Sequence, residues 1–300
     1  MKLSDNLTGA IFMMVSMAAF TINDMFMKIM SGSVPLIQLI FLRGVLTTLA
    51  VSFLAWRMGA FRGRIAGGDR VLVAIRTGAE ICATYFFLTA LTHMPLANVT
   101  AILQALPLAI AVAAALFLGE GFGWRRLVAI LVGFAGVMLI VRPGAEGFNV
   151  FSLYGLTAVG FVTIRDLSTR RLSRDTSSVL VTWVTAVSIT LVYGLASITV
   201  DWVPMTWTNS GLLLLASGSV IGGYLFAIMV MRVGEISFVA PFRYTGLIWA
   251  LVLGWLAFGE WPSTITLIGA AIVAGSGIFT IIREAREGRR TPTQFGPRIR

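Results

Sequence analysis

The chain holds one cysteine, Cys82, and one histidine, His93, among 300 residues. Disulfide frameworks need cysteines in pairs, and Cys/His metal sites need several such ligands, so neither is expected. Charge is scarce as well. Only 12% of residues are Asp, Glu, Lys or Arg, about half of what a soluble domain carries. H-E-x-x-H and G-x-S-x-G, the marks of zinc peptidases and serine hydrolases, do not occur. No metal, cofactor or catalytic residue is expected, and an intramembrane enzyme is the weaker alternative throughout.

What is present is apolar length. Hydrophobic residues make up 57% of the chain, with 31 glycines and 8 tryptophans. Small residues let membrane helices approach, and Trp anchors the interfaces. A span needs about 20 apolar residues. Ten are read: 7–30, 35–56, 71–91, 96–118, 126–141, 151–169, 178–200, 210–231, 236–258 and 262–282. The first run is too long for a signal-peptide core, and no small-x-small cleavage site follows it, so it is read as a retained helix. The fold class is an all-α polytopic membrane protein.

The net charge of +10 forms no basic face or stripe, which argues against nucleic acid. It sits in loops instead. With the N-terminus inside, cytosolic segments hold seventeen of the 23 Lys and Arg, and the outer loops hold only Arg142. That asymmetry puts both termini in the cytosol, in a bacterial inner membrane. Residues 284–300 form a basic tail, expected to be disordered and to fix orientation at anionic lipid.

One motif is said twice. Thr21-Ile22-Asn23-Asp24 with Lys28 returns in the second half as Thr163-Ile164-Arg165-Asp166 with Arg170. Gly119-Glu120, closing the fourth span, returns at nearly the same offset as Gly259-Glu260, closing the ninth. The chain therefore divides into two five-span halves, 1–145 and 146–283. An odd number of spans inverts the second copy, and inverted repeats with a site near the midplane mark alternating-access transporters.

These landmarks resemble a known family. Lys28 ending the first span, Pro35 and Arg43 in the second, and the ends Leu116–Glu120 and Ala257–Glu260 look like the drug/metabolite transporter superfamily, EamA branch. The resemblance implies a secondary transporter whose central cavity is lined mainly by spans one, three, four, six, eight and nine. One departure stands out: Pro107 precedes Glu120 by the same interval at which Leu247 precedes Glu260. Pro241 lies earlier, so the bends of the fourth and ninth spans need not be equivalent.

Charges inside the spans are the candidates for function, because hydrocarbon makes them costly. At about 1.5 Å per residue, Glu80 lies near the middle of its span and Arg43 about 12 Å below the outer surface. Asp24–Lys28, Arg76–Glu80 and Asp166–Arg170 are spaced to pair along one helix face, whereas Arg165 points about 100° from Asp166. The charges at the outer and inner mouths are read as gates or anchors. Arg43 and Arg243 lack a partner in their own span, and either face the cavity or pair between helices. Glu80 and Asp24 are candidate proton carriers, although Arg76 beside Glu80 favours a fixed ion pair. The cavity set is Glu80, Asn98, Gln104, Arg243, Tyr244 and Trp249, the last with core packing as its alternative. Gly218 and Gly222 are read as a close helix contact within the monomer rather than a dimer contact.

The function these readings support is secondary transport of a small organic metabolite. Intramembrane arginines and an aromatic ninth span favour a planar or anionic compound, such as a nucleoside-like metabolite, over a quaternary cation. The N-D-x-x-x-K of the first span resembles family members associated with riboflavin or S-adenosylmethionine uptake, which implies riboflavin as one such compound. Export of amino acids or other metabolites on the same fold is the alternative. Monomer and homodimer are both compatible with the sequence.

Overall fold

The structure is a computed structural model that describes residues 5–118, 124–141, 149–173, 175–233 and 236–290. Lys2, Gly119, Glu120, Arg142, Arg174 and residues 291–300 lie outside it. Twelve α-helices build the described chain: α1 Asp5–Ser31, α2 Leu36–Arg57, α3 Arg70–His93, α4 Leu96–Leu103, α5 Leu106–Leu118, α6 Trp124–Val141, α7 Phe151–Arg170, α8 Ser178–Ala196, α9 Trp207–Val233, α10 Ile236–Val239, α11 Thr245–Phe258 and α12 Thr264–Arg290. Seven stretches are long and apolar enough to cross a membrane, and the apolar parts of α6 and α12 are shorter. With α7, which carries Arg165 and Asp166, they make ten passes among the described residues, because α4 joins α5 and α10 joins α11. α12 runs through residues 284–290, so that part of the tail expected to be disordered is helical.

Local chemistry sets the boundaries. Pro35 and Pro95 stand just before α2 and α4 in extended backbone, where a missing N–H costs nothing. Ser177 caps α8, accepting from the Leu180 N–H at 3.4 Å. α11 stops at Gly259, whose φ of 64° is left-handed backbone that glycine adopts freely.

Two passes are broken. Between α4 and α5, Ala105 and Leu108 bond three residues back, to Ile102 and Ala105, at 3.0 Å each. Pro107 lacks the N–H that would have reached Leu103, which explains the break. Between α10 and α11, Ala240–Tyr244 form a 3-10 turn containing Pro241. Gln104 and Tyr244, one in each break, are separated by the same interval as Glu120 and Glu260. Both breaks thus hold residues related by that interval, although Pro107 and Pro241 themselves are not. The proline is a poor marker of the position because the chain opens around the lost bond rather than at the ring itself.

The dominant helix pairs are α1 with α9, α3 with α7, α6 with α12 and α2 with α8. Two apolar cores follow. One joins Met27, Met30, Leu39, Leu88, Leu96 and Ala250; the other joins Val99, Ile102, Val137, Val159 and Val273. α4 contributes to both. The helices α6 and α12 touch at backbone distance, since a Cβ on Gly136 would lie 2.9 Å from the Gly269 carbonyl oxygen. The close contact expected at Gly218 and Gly222 does not form there. A Cβ on either meets open space, while neighbouring Gly223 packs against Phe20 of α1. Large apolar side chains such as Ile198, Leu116, Trp207 and Trp56 stand on the outside, where lipid covers them.

Candidate functional site

Facing helices bring a charged hub to mid-bundle. Arg165 of α7 donates from Nη1 to Glu80 Oε2 of α3 at 2.8 Å and from Nε to Asp166 Oδ1 at 2.8 Å. Arg76, one turn before Glu80, does not pair with it. Its guanidinium donates to the hydroxyls of Thr169 at 2.9 Å and Thr185 at 2.5 Å. On the other side, Arg43 of α2 donates to Asn23 Oδ1 at 3.2 Å, and Asn23 Nδ2 donates to Asp24 Oδ1 at 2.9 Å. Asn23 is buried and passes the Arg43–Asp24 attraction through its amide.

An aromatic residue stands among these charges. Tyr224 of α9 packs edge-on against Phe20, ring centroids 5.1 Å apart. It lies within electrostatic reach of Glu80, Arg165, Arg43 and Arg76. Although mid-helix, it is 54% exposed, so its ring faces an opening between helices rather than a packed core. Guanidinium groups and a phenol ring around one opening can bind carboxylates or phosphates in forks and stack on planar groups.

At the end of the bundle holding the α1 C-terminus, a separate strap forms. Lys28 Nζ meets Glu260 Oε1 at 2.6 Å and the Met94 carbonyl at 2.7 Å. Glu260 Oε2 accepts the Leu96 N–H at 3.1 Å, and the Lys28 ammonium lies 4.7 Å from the Phe258 ring centre. One ion pair thereby ties α1, the α3–α4 junction and the end of α11.

The helix-local pairs expected from the sequence therefore do not form: Lys28 goes to Glu260, Glu80 to Arg165, Asp166 to Arg165, and Arg170 is exposed. An i,i+4 pair is worth only about 0.2–0.5 kcal/mol. Buried charges instead take the shorter, better-aligned bonds offered by facing helices. The long side chain of Arg165 bends back to its neighbour, which the angular offset of the two positions conceals.

The residues at the breaks divide. Gln104 is buried, and its Nε2 would lie 3.5 Å from a Cβ on Gly246, beside Met17 of α1. Asn98 keeps a buried Oδ1 with no hydrogen-bond partner among the described residues. Arg243 makes no hydrogen bond or ion pair among the described residues and is half-buried. Tyr244 turns away to α12: a Cβ on Gly277 would fall 1.6 Å from its hydroxyl oxygen, which itself has no partner. Trp249 is 37% exposed and lies outside the hub. Among the described residues no group of His, Cys, Asp or Glu could hold a metal.

Residues 7–142 match the EamA-like transporter family. The riboflavin transporter of Vibrio cholerae is 31% identical over 72% of this chain and 73% of its own. The chain belongs to the EamA-like transporter family. Similar proteins include the pseudopaline exporter of Pseudomonas aeruginosa, 27% identical over 89% of this chain and 93% of that one. The S-adenosylmethionine uptake transporter of Rickettsia felis is 24% identical over 93% and 94%. A solved crystal structure superposes with a TM-score of 0.58 over 91% of this chain and 98% of the other at 20% identity, which is a likeness of fold. This EamA-type protein is accordingly a multi-pass membrane transporter of small molecules, not an enzyme.

Proposed function

We propose that this EamA-type protein carries a planar or anionic metabolite, riboflavin or a nucleoside-like compound, by alternating access across the bacterial inner membrane. The observation that carries the reading is the hub itself. Arg43, Arg76, Glu80 and Arg165 lie within electrostatic reach of Tyr224, and Asp166 joins them through Arg165, in the middle of an otherwise apolar bundle. Charges at that depth are costly and are retained where substrate or ions pass. The relative named as a riboflavin transporter fits an arginine-and-tyrosine site. A relative named as an exporter covers more of the chain, so export of a metabolite is the second reading.

The halves 1–145 and 146–283 act as inverted repeats in this proposal, both termini being cytosolic. The helix pairs support it: exchanging the halves turns the α1–α9 pairing into the α7–α3 pairing and maps α2–α8 and α6–α12 onto themselves. The Lys28–Glu260 strap closes the outer mouth, and exposed Arg170, unpaired with Asp166, marks the inner one. The protein works as a monomer or homodimer. A thermal-shift screen of flavins, nucleosides, amino acids and organic cations, followed by flux into proteoliposomes, tests the substrate class. Stabilisation by amino acids alone would replace the leading reading with the second.

A further inference from the structure

We propose that the groove between α3, α5 and α7 is a binding site for one anionic phospholipid, independent of the transported substrate. Its volume is about 290 Å³, and Ile75, Phe117, Ile164 and Leu167 line it, with Arg171 at its end. Ile75 and Ile164 are each 46% exposed and Phe117 is 69% exposed, so the groove opens outward, where the bilayer lies. From Ile164 to Arg171 it climbs roughly 10 Å along α7, from hydrocarbon depth to the interface, the path of an acyl chain leading to its headgroup.

The end of the groove is cationic. Arg171 Nη2 donates to the Phe117 carbonyl at 2.8 Å, which fixes the guanidinium there, with no further hydrogen bond or ion pair among the described residues. Asp69 accepts from the Ser173 N–H at 3.0 Å and from the hydroxyls of Ser173 and Thr176. This clamp ties the start of α3, where exposed Arg70 follows Asp69, to the chain just after α7, where Ser173 follows Arg171 by two residues. The Asp69 carboxylate is buried and occupied by the clamp. An apolar trough with Arg171 at its end, and Arg70 at the neighbouring clamp, matches an acyl chain that ends in a phosphate.

The test uses the purified full-length protein and native mass spectrometry, with phosphatidylglycerol and phosphatidylcholine of identical chains as probes. Phosphatidylglycerol should be retained at least tenfold more tightly than phosphatidylcholine, and the difference should shrink as NaCl rises. Each of Arg70→Gln and Arg171→Gln should weaken phosphatidylglycerol about fivefold, while Arg57→Gln at the end of α2 leaves it unchanged. Ile164→Trp, which fills the trough, should reduce both lipids. Equal retention of the two lipids by the wild-type protein overturns the proposal without any variant. So does a loss in Arg57→Gln matching that in Arg171→Gln, or displacement of the lipid by inorganic phosphate.

Discussion

The Lys28–Glu260 strap invites the most direct perturbation. Lys28→Met removes two charge-assisted hydrogen bonds, to Glu260 and to the Met94 carbonyl, and leaves the Glu260 carboxylate, among the described residues, bonded only to the Leu96 N–H. Such bonds net about 1.5–3 kcal/mol each. The Lys28 side chain is 10% exposed but that of Glu260 is 27% exposed, so solvent screening lowers the joint value to about 2–3 kcal/mol. If the strap holds the outer mouth shut, its loss multiplies the open fraction by about 30–150. The assay is labelling from outside the cell by an impermeant maleimide, at Asn98→Cys in a Cys82→Ser background. Lys28→Met should speed labelling by that factor until it saturates. The charge swap Lys28→Glu with Glu260→Lys should recover part of the closure, because the ion pair returns while the Met94 and Leu96 bonds do not. Unchanged labelling in Lys28→Met, or no recovery in the swap, would refute the reasoning.

Other expectations follow from the same contacts. Glu80→Gln strips Arg165 of one of its two carboxylates; flux should fall at least tenfold, and proteoliposome uptake measures it. Asn23→Leu cuts the amide relay from Arg43 to Asp24 and should lower stability by about 1–3 kcal/mol, read as a fall in Tm. Gly277→Ala drives a methyl into Tyr244 and should cost about 1–3 kcal/mol by overpacking. Tyr244→Phe, by contrast, removes a hydroxyl without a partner and should keep both stability and flux; lost flux would return Tyr244 to the substrate site.

Much of the fold is legible in the sequence because a bilayer imposes it. Apolar length locates the ten passes within a few residues, and Pro35, Pro95 and Gly259 mark their ends for reasons of backbone chemistry alone. What spacing along the chain does not reveal is the partner of each buried charge. Lys28 and Glu260 are far apart in sequence, and only the packing of α1 on α11 brings them together. Asn23 escapes a sequence reading because a buried amide is silent until both of its neighbours are in place. Tyr224 hides in a long apolar run, although a polar-tipped ring there is a signal of the opening. Tyr244 misleads in the opposite way: it stands at the break and is read into the cavity set, but its ring packs on Gly277 of α12 instead.

The central claim is that the hub around Tyr224 is where the transported molecule binds. The decisive measurement is ligand-dependent thermal stabilisation, across the same compound panel, of the wild-type protein beside Tyr224→Ala and Arg43→Gln. A planar or anionic compound should raise the wild-type Tm, and that rise should collapse in both variants while their ligand-free Tm stays high enough to report it. An undiminished ligand shift in both variants would contradict the claim and move the site elsewhere.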